Sequence, residues 1–150
     1  MRSFLRVAAA VPRVHVAGVD QNLAETLALL RRADAQTAQV VVFPELGLSS
    51  YTARDLFANR VLLDASQAAL EQLVRATESL APLVVVGMPL RAAGAVFNVA
   101  LANQRGQVLG VVPKTYLPNY REFEEQRWFR PGSDVAPGST VWLLGRDVPF

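Results

Sequence analysis

Short apolar runs that end in a proline and a charged residue are the feature that most constrains the fold of this chain. Residues 39–43 are rich in valine and are followed by a proline and Glu45, and residues 107–112 are followed by a proline and Lys114. A continuous apolar run is typical of a strand that is buried on both faces. Proline ends such a strand because it has no N–H to donate to a neighbour. Each charged residue therefore follows the end of a predicted strand.

Amphipathic segments alternate with these runs. Leucines recur at helical spacing after Asp20, and a second helical pattern follows Asp64. Gly106 favours a tight turn at residues 103–106, between two apolar segments. The predicted elements are strands at about residues 4–11, 39–43, 83–88, 95–102, 107–112 and from 141 onward, and helices at about residues 20–36 and 65–80. Strands alternating with helices indicate an α/β fold.

The composition narrows the class of protein. The chain has 150 residues, of which 51% are hydrophobic, so it is long and apolar enough to bury one substantial core. Its net charge is +2 and it contains no run of lysine or arginine, which argues against a nucleic-acid partner. It has no apolar stretch long enough to span a bilayer or to form a secretory signal, so we expect no membrane partner and a cytoplasmic location.

Cysteine is absent and histidine occurs once. The chain therefore offers no disulfide, no thiol nucleophile and no site with several histidines for zinc. We interpret His15 as a solvated loop or strand-end residue, and Ser49 and Ser50 as turn residues, because they lack the flanking glycines of a nucleophile elbow. The chain contains no glycine-rich phosphate loop and no acidic metal loop, so any ATP or metal site is expected elsewhere.

Glu45 and Lys114 are the first candidates for chemistry. The carboxyl ends of strands in an open α/β sheet are where ligands bind, and a partly desolvated carboxylate and ammonium there suit proton transfer and electrophilic assistance. The pattern alone fits two ordinary solvated residues equally well. Residues 113–138 form a long, aromatic-rich connection of the kind that is usually functional. Within it, residues 124–130 alternate acids and bases, which by itself indicates a solvated turn with local ion pairs.

Three motifs occur in order along the chain: FPEL at residues 43–46, PKTYLP at residues 113–118 and EQRWFRPG at residues 125–132. This arrangement resembles the nitrilase superfamily of carbon-nitrogen hydrolases. The resemblance implies an α-β-β-α sandwich, of which this chain is an incomplete amino-terminal portion. It also implies a catalytic glutamate at Glu45, a lysine at Lys114 and a second, supporting glutamate at Glu125.

Two longer segments, FPELGLSSYTARDLF (43–57) and KTYLPNYREFEEQRWF (114–129), are similar to the glutaminase domain of the glutamine-dependent NAD synthetases. That narrower resemblance implies hydrolysis of the glutamine side-chain amide, with ammonia passed to an ATP-dependent conversion of deamido-NAD to NAD. It implies that Tyr120, and also Tyr51, line the glutamine pocket. Each tyrosine also fits a purely structural role, packed in the core with its hydroxyl satisfied.

The chain departs from the family pattern because the nucleophilic cysteine is missing, and we expect it shortly after Phe150. By this interpretation residues 1–150 end before both the cysteine and a synthetase domain, so the fragment itself is inactive. No cofactor is expected here, whereas ATP and Mg belong to the missing domain. The family also implies a homo-oligomer paired through outer helices. The alternatives are a free-standing amidase acting on another amide or carbamoyl substrate, and a catalytically silent interaction domain.

Overall fold

A computed structural model describes residues 4–150 and contains two sheets and two long helices. The main elements are β1 (Val7–Ala9), α1 (Val19–Ala35), β2 (Val40–Val42), α2 (Arg60–Ala76), β3 (Leu83–Ala92), β4 (Ala95–Gln104), β5 (Gln107–Pro113), β6 (Thr140–Leu143) and β7 (Arg146–Pro149). Short 3-10 segments lie at Tyr51–Ala58, Thr77–Ser79, Glu125–Arg127 and Gly132–Asp134. None of the helices in this described part is long and apolar enough to cross a membrane.

The larger sheet has five strands in the order β1-β2-β3-β4-β5. The first three are parallel, because α1 and α2 return the chain to the same edge. One hairpin joins β3 to β4 and a second joins β4 to β5. Since β4 reverses the direction and β5 restores it, the carboxyl ends of β2, β3 and β5 lie at one edge of the sheet. The residues that follow β2 and β5 are therefore brought to the same side of the molecule.

The two faces of this sheet differ in how deeply their side chains are buried. Side chains alternate between the faces of a strand, and in β2 Val41 is fully buried whereas Val42 is 45% exposed. Val7 and Val112 are also exposed. The buried set joins the sheet to the helices through Leu30, Val41, Leu70, Leu73, Val84, Val86, Leu101 and Val111. The helices and the five-stranded sheet thus form two adjacent layers of the expected α-β-β-α sandwich.

The strand and helix types agree with the sequence prediction, but several boundaries were wrong. The strand predicted at 4–11 contains only Val7–Ala9, an edge strand that pairs with β2 alone. The helix predicted at 65–80 begins at Arg60, because the Asn59 side chain accepts a hydrogen bond from the Val61 N–H at 2.8 Å and caps it. Asp64 instead lies inside this helix.

The hairpins were also longer than predicted. β3 continues to Ala92 and forms a hairpin with β4, and β4 continues to Gln104. The turn into β5 is therefore only Arg105 and Gly106, with φ values of 47° and 75°. Positive φ at both positions is the geometry of a tight two-residue hairpin. The strand expected near residue 141 pairs with β7 in a separate two-stranded sheet that the sequence analysis did not predict.

Candidate active site

Glu45, Lys114 and Glu125 meet at one ammonium group. The Lys114 Nζ lies 2.8 Å from the Glu45 Oε1 and 2.9 Å from the Glu125 Oε1. Glu45 reaches this point from the loop after β2, and Lys114 immediately follows β5, at the shared edge of the sheet. These distances bring together the three residues that the sequence analysis named, and their catalytic roles stay predictions.

The two carboxylates differ in exposure. The Glu45 side chain is 42% exposed, so one side of it faces solvent. The Glu125 side chain is 1% exposed, and its Oε1 accepts hydrogen bonds from both the Lys114 Nζ and the Tyr51 hydroxyl, the latter at 2.8 Å. The Glu125 Oε2 is buried and has no hydrogen-bond partner among the described residues. A buried carboxylate needs hydrogen bonds and a counter-ion of the kind that the Oε1 receives, because an unpaired charge in a low dielectric is strongly unfavourable.

The environment keeps Lys114 in its charged form. Burial lowers the pKa of the Lys114 ammonium, but the hydrogen bonds and negative charges of Glu45 and Glu125 outweigh burial, and the pKa is raised above its usual value. A lysine that stays protonated donates hydrogen bonds and positive charge rather than accepting a proton. Lys114 is therefore suited to stabilising an oxyanion.

Tyr51 and Tyr120 occupy different positions. Tyr51 is partly buried, and burial followed by its hydrogen bond to Glu125 raises the pKa of its phenol, so it stays a donor. Tyr120 is 63% exposed and lines a surface cleft together with Lys114. Both rings pack edge-on against Phe123, with centroid distances of 6.4 and 5.6 Å. The structure therefore places Tyr51 as a hydrogen-bond partner of Glu125, and the pocket role of either tyrosine stays a prediction.

Asn98, in β4, is a site residue that the sequence analysis missed. Its Nδ2 donates to the Glu45 Oε1, and its backbone oxygen accepts from the Lys114 N–H at 2.8 Å. One residue thus contacts both members of the ion pair. The available signal was a polar residue inside an apolar strand, where an amide is tolerated only if it is hydrogen-bonded.

A second missed group holds residues 125–130 to the Tyr51–Ala58 segment. The Arg127 Nε and Nη2 donate to the two oxygens of Asp55 at 2.7 and 3.3 Å, and the Trp128 Nε1 donates to Asp55 at 2.9 Å. Arg127 and then Trp128 hold the pKa of the Asp55 carboxyl below its usual range. The expectation of local ion pairs here was wrong for Arg127, whose partner is 72 positions away.

The other sequence candidates lie outside this network. His15 lies before α1, where its N–H donates to the side-chain oxygen of Asn22 and its carbonyl accepts from the side-chain nitrogen of Asn22. Ser49 lies in the turn, as interpreted, whereas the Ser50 hydroxyl accepts from the Thr52 N–H at 3.3 Å and caps the 3-10 segment that begins at Tyr51. The buried Ser49 hydroxyl bonds to the Leu46 carbonyl. The described residues contain no group of three histidine, cysteine or acidic side chains placed to hold a metal ion.

A cleft of about 320 Å³ opens beside the ion pair on the uncovered face of the sheet. Its lining includes Val42, Glu45, Val85, Gly87, Asn98 and Lys114. The carboxylate, ammonium and amide at one end of this cleft suit a small molecule with a polar, reactive head.

Comparison with known proteins gives consistent matches. Residues 6–145 match the family described as carbon-nitrogen hydrolase. The chain is 42% identical over 147 residues to a glutamine-dependent NAD(+) synthetase from Mycobacterium bovis, and the match covers 98% of the chain and 21% of that relative. The chain therefore spans about a fifth of the length of this relative.

Solved structures share the fold. A glutamine-dependent NAD(+) synthetase from Cytophaga hutchinsonii matches with a TM-score of 0.88 and 22% identity, over 99% of this chain and 25% of that one. An amidase from Nesterenkonia sp. AN1, with acrylamide added at its active site cysteine, matches with a TM-score of 0.72 and 22% identity, over 96% and 55% of the two chains. At these identities the two structures support the nitrilase-like fold alone.

Proposed function

Because the chain belongs to the carbon-nitrogen hydrolase family, we propose that it is the amino-terminal part of a glutaminase domain in a glutamine-dependent NAD synthetase. The domain hydrolyses the side-chain amide of glutamine and supplies ammonia for the ATP-dependent conversion of deamido-NAD to NAD. The observation that carries the proposal is the contact of Glu45, Lys114 and Glu125 at one Nζ. The 42% identity to a synthetase extends the proposal to substrate and pathway.

The chemistry begins at Glu45. Its half-exposed carboxylate takes the proton of a cysteine thiol that the longer protein contributes, and the thiolate attacks the amide carbon of glutamine. Lys114, held protonated by its two carboxylates, stabilises the oxyanion that forms. Glu45 returns the proton to the leaving nitrogen, so ammonia departs and a thioester remains. Water that is deprotonated by Glu45 then attacks the thioester and releases glutamate and the thiol.

Glu125 takes no proton in this scheme. It is buried and holds the Lys114 ammonium through one carboxylate oxygen, which also accepts a hydrogen bond from the Tyr51 hydroxyl. Tyr120 lies at the surface cleft beside Lys114, where an exposed phenol contacts the polar end of glutamine. Residues 1–150 by themselves are inactive because they contain no nucleophilic thiol.

The remaining parts of the activity belong to other residues or copies. ATP and Mg bind a carboxy-terminal synthetase domain, and this chain needs no cofactor of its own. The whole enzyme works in the cytoplasm as a homo-oligomer. These statements rest on the resemblance of the sequence motifs to the glutamine-dependent NAD synthetases.

A free-standing amidase is the second candidate. The Nesterenkonia amidase and the Cytophaga synthetase share the fold of this chain, so the fold alone does not separate this candidate from the synthetase. A third candidate is a silent interaction domain, in which the same ion network is only structural. The downstream sequence separates them: a cysteine followed by an ATP-binding domain fits the synthetase, a cysteine alone fits the amidase, and no cysteine fits the silent domain.

Glu45→Gln in the full-length protein tests the proposal. The change keeps the size of the side chain but removes the base, so glutamine hydrolysis should fall by roughly 100- to 10,000-fold. Formation of NAD from added ammonia should continue, because that reaction bypasses the thiol. Glu71→Gln is the matched control, since Glu71 is similarly exposed and lies on α2. Full glutaminase activity in Glu45→Gln would refute the role of the base.

A further inference from the structure

The loop that carries Glu45 runs back across β3. The Phe43 N–H donates to the Val85 carbonyl at 2.9 Å, and the Leu48 N–H donates to the Gly87 carbonyl at 3.3 Å. Between these two anchors Leu46 has a φ of 51°, in the left-handed region. The backbone of Glu45 is therefore held against β3 by a short, tightly turned segment with a backbone hydrogen bond to β3 at each end.

Gly87 is the point on β3 where this loop crosses. A Cβ added at Gly87 would lie 2.5 Å from the Leu46 nitrogen, 2.8 Å from the Glu45 Cα and 2.8 Å from the Pro44 oxygen. All three are backbone atoms, and real Cβ atoms essentially never come closer than 3.0 Å to another group. A methyl group at this position must therefore push the Glu45 backbone away from the sheet.

A second glycine has the same relation to Lys114. The Gly132 N–H donates to the Lys114 carbonyl at 2.8 Å, so the segment after Phe129 lies against the end of β5. A Cβ added at Gly132 would lie 2.5 Å from the Pro113 oxygen and 3.1 Å from the Pro113 carbonyl carbon. Neither Gly87 nor Gly132 has a positive φ, so what each position requires is space rather than an unusual backbone conformation.

We infer that Gly87 and Gly132 are positioning residues that set the separation between the Glu45 carboxylate and the Lys114 ammonium. Gly87 lies against the backbone of Glu45, and Gly132 lies against the backbone of Pro113, the residue before Lys114. We therefore expect the 2.8 Å contact between the two charges to depend on both glycines. The inference rests on the proposed function for its kinetic consequence. A misplacement of about 1 Å in an active site costs on the order of 100-fold in rate.

The test compares three alanine variants of the full-length protein. In Gly87→Ala and Gly132→Ala, kcat for glutamine hydrolysis should fall by roughly 100-fold, because the reacting groups move. KM should change little in Gly132→Ala, because Gly132 does not line the cleft beside the ion pair. Gly110→Ala is the matched control. Gly110 also lies in a strand of the same sheet, and its added Cβ meets a single atom within 4 Å, the Pro149 oxygen at 3.9 Å. This control should retain wild-type kcat.

Crystal structures of the same variants test positioning separately from activity. The Glu45 to Lys114 contact should be broken in Gly87→Ala and Gly132→Ala and kept in Gly110→Ala. If one site variant fails to fold, the other still tests the inference through the opposite partner. An intact contact with the kcat of the control would overturn the inference, as would a raised KM with unchanged kcat. A wild-type protein without glutaminase activity would refute the proposed function, while the contact distances still decide the role of the glycines.

Discussion

Two loops each place a glutamate beside the same lysine, but the two glutamates have opposite environments. Glu45 and Glu125 both lie within 3 Å of the Lys114 Nζ, yet one side chain is 42% exposed and the other 1%. The exposed carboxylate is accessible to a thiol or a water molecule. The buried one is accessible only to the groups that already bind it. Burial, rather than residue type or distance, distinguishes the two carboxylates, and this difference supports the proposal that Glu45 is the base and Glu125 a support.

The loops reach these states by different means. The segment around Glu45 is short and is fixed by backbone hydrogen bonds to β3, which leave its side chain free on one side. The segment around Glu125 is held by side chains: Phe57 packs against Trp128 and Phe129 at centroid distances of 5.7 and 4.8 Å. Aromatic packing of this kind excludes water, so the neighbouring carboxylate is buried with its partners.

Lys114→Met should have the largest effect on stability, because it leaves Glu125 as a buried charge without a cation. Breaking a buried pair in this way lowers the free energy of unfolding by about 3–5 kcal/mol, which urea unfolding of the full-length protein would measure. Adding Glu125→Gln to this variant should restore part of the loss, whereas adding Glu45→Gln should restore little. Equal recovery of stability in the two double variants would contradict the difference in burial cost between the two glutamates.

Taken singly, Glu125→Gln should lower the free energy of unfolding more than Glu45→Gln does. Loss of a hydrogen bond to a charged, buried group lowers the free energy of unfolding by about 1.5–3 kcal/mol. Loss of a half-exposed ion pair lowers it by less than about 1 kcal/mol. Unfolding midpoints of the two variants against wild type give the ranking. A larger loss for Glu45→Gln than for Glu125→Gln would contradict it.

Tyr51→Phe should have a smaller effect, since Glu125 keeps its ion pair with Lys114 when the phenol hydroxyl is removed. We expect a loss of about 1.5 kcal/mol in the free energy of unfolding, the lower end of the range for a hydrogen bond to a charged group, read from the unfolding midpoint. Tyr120→Phe is the control, because Tyr120 packs on the same Phe123 ring and is mostly exposed. Indistinguishable midpoints for the two variants would mean that the Tyr51 hydroxyl does not stabilise the buried carboxylate.

Asp55→Asn should have the smallest effect, because the carboxylate and its Arg127 partner are both exposed. Arg127 and Trp128 hold the pKa of Asp55 below the usual 3.8. A lowered pKa in the folded state means that the stabilisation is present above the unfolded value and is lost as the pH falls through the lowered pKa. Melting temperatures of variant and wild type should therefore differ slightly at neutral pH and converge in strong acid. Convergence at high salt is also expected.

The sequence by itself determined the local elements and the ends of the central strands. Valine-rich runs closed by proline identified β2 and β5 as strands, and the charged residues after them identified Glu45 and Lys114 as candidates. These features are readable because they depend on neighbours within a few positions. The ordered motifs added Glu125 through a family resemblance, which local pattern alone did not provide.

The ends of the strands were harder to predict from the sequence where pairing with a distant strand determines them. β1 is shorter than its apolar run because it pairs on one side only, and β3 extends past its valine run because β4 pairs with it up to Ala92. The start of α2 was missed for a local reason, since Asn59 and not Asp64 provides the cap.

Only the tertiary structure decided the environments of the site. The burial of Glu125, the Tyr51 hydrogen bond, the Asn98 contacts and the Asp55 pair with Arg127 join positions that are far apart in the chain. Strand order and loop packing determine which of these groups meet. Gly87 and Gly132 show the same limit, because a glycine's need for space is defined by the backbone that crosses it. A pattern of neighbouring residues carries no information about atoms that approach from another part of the fold.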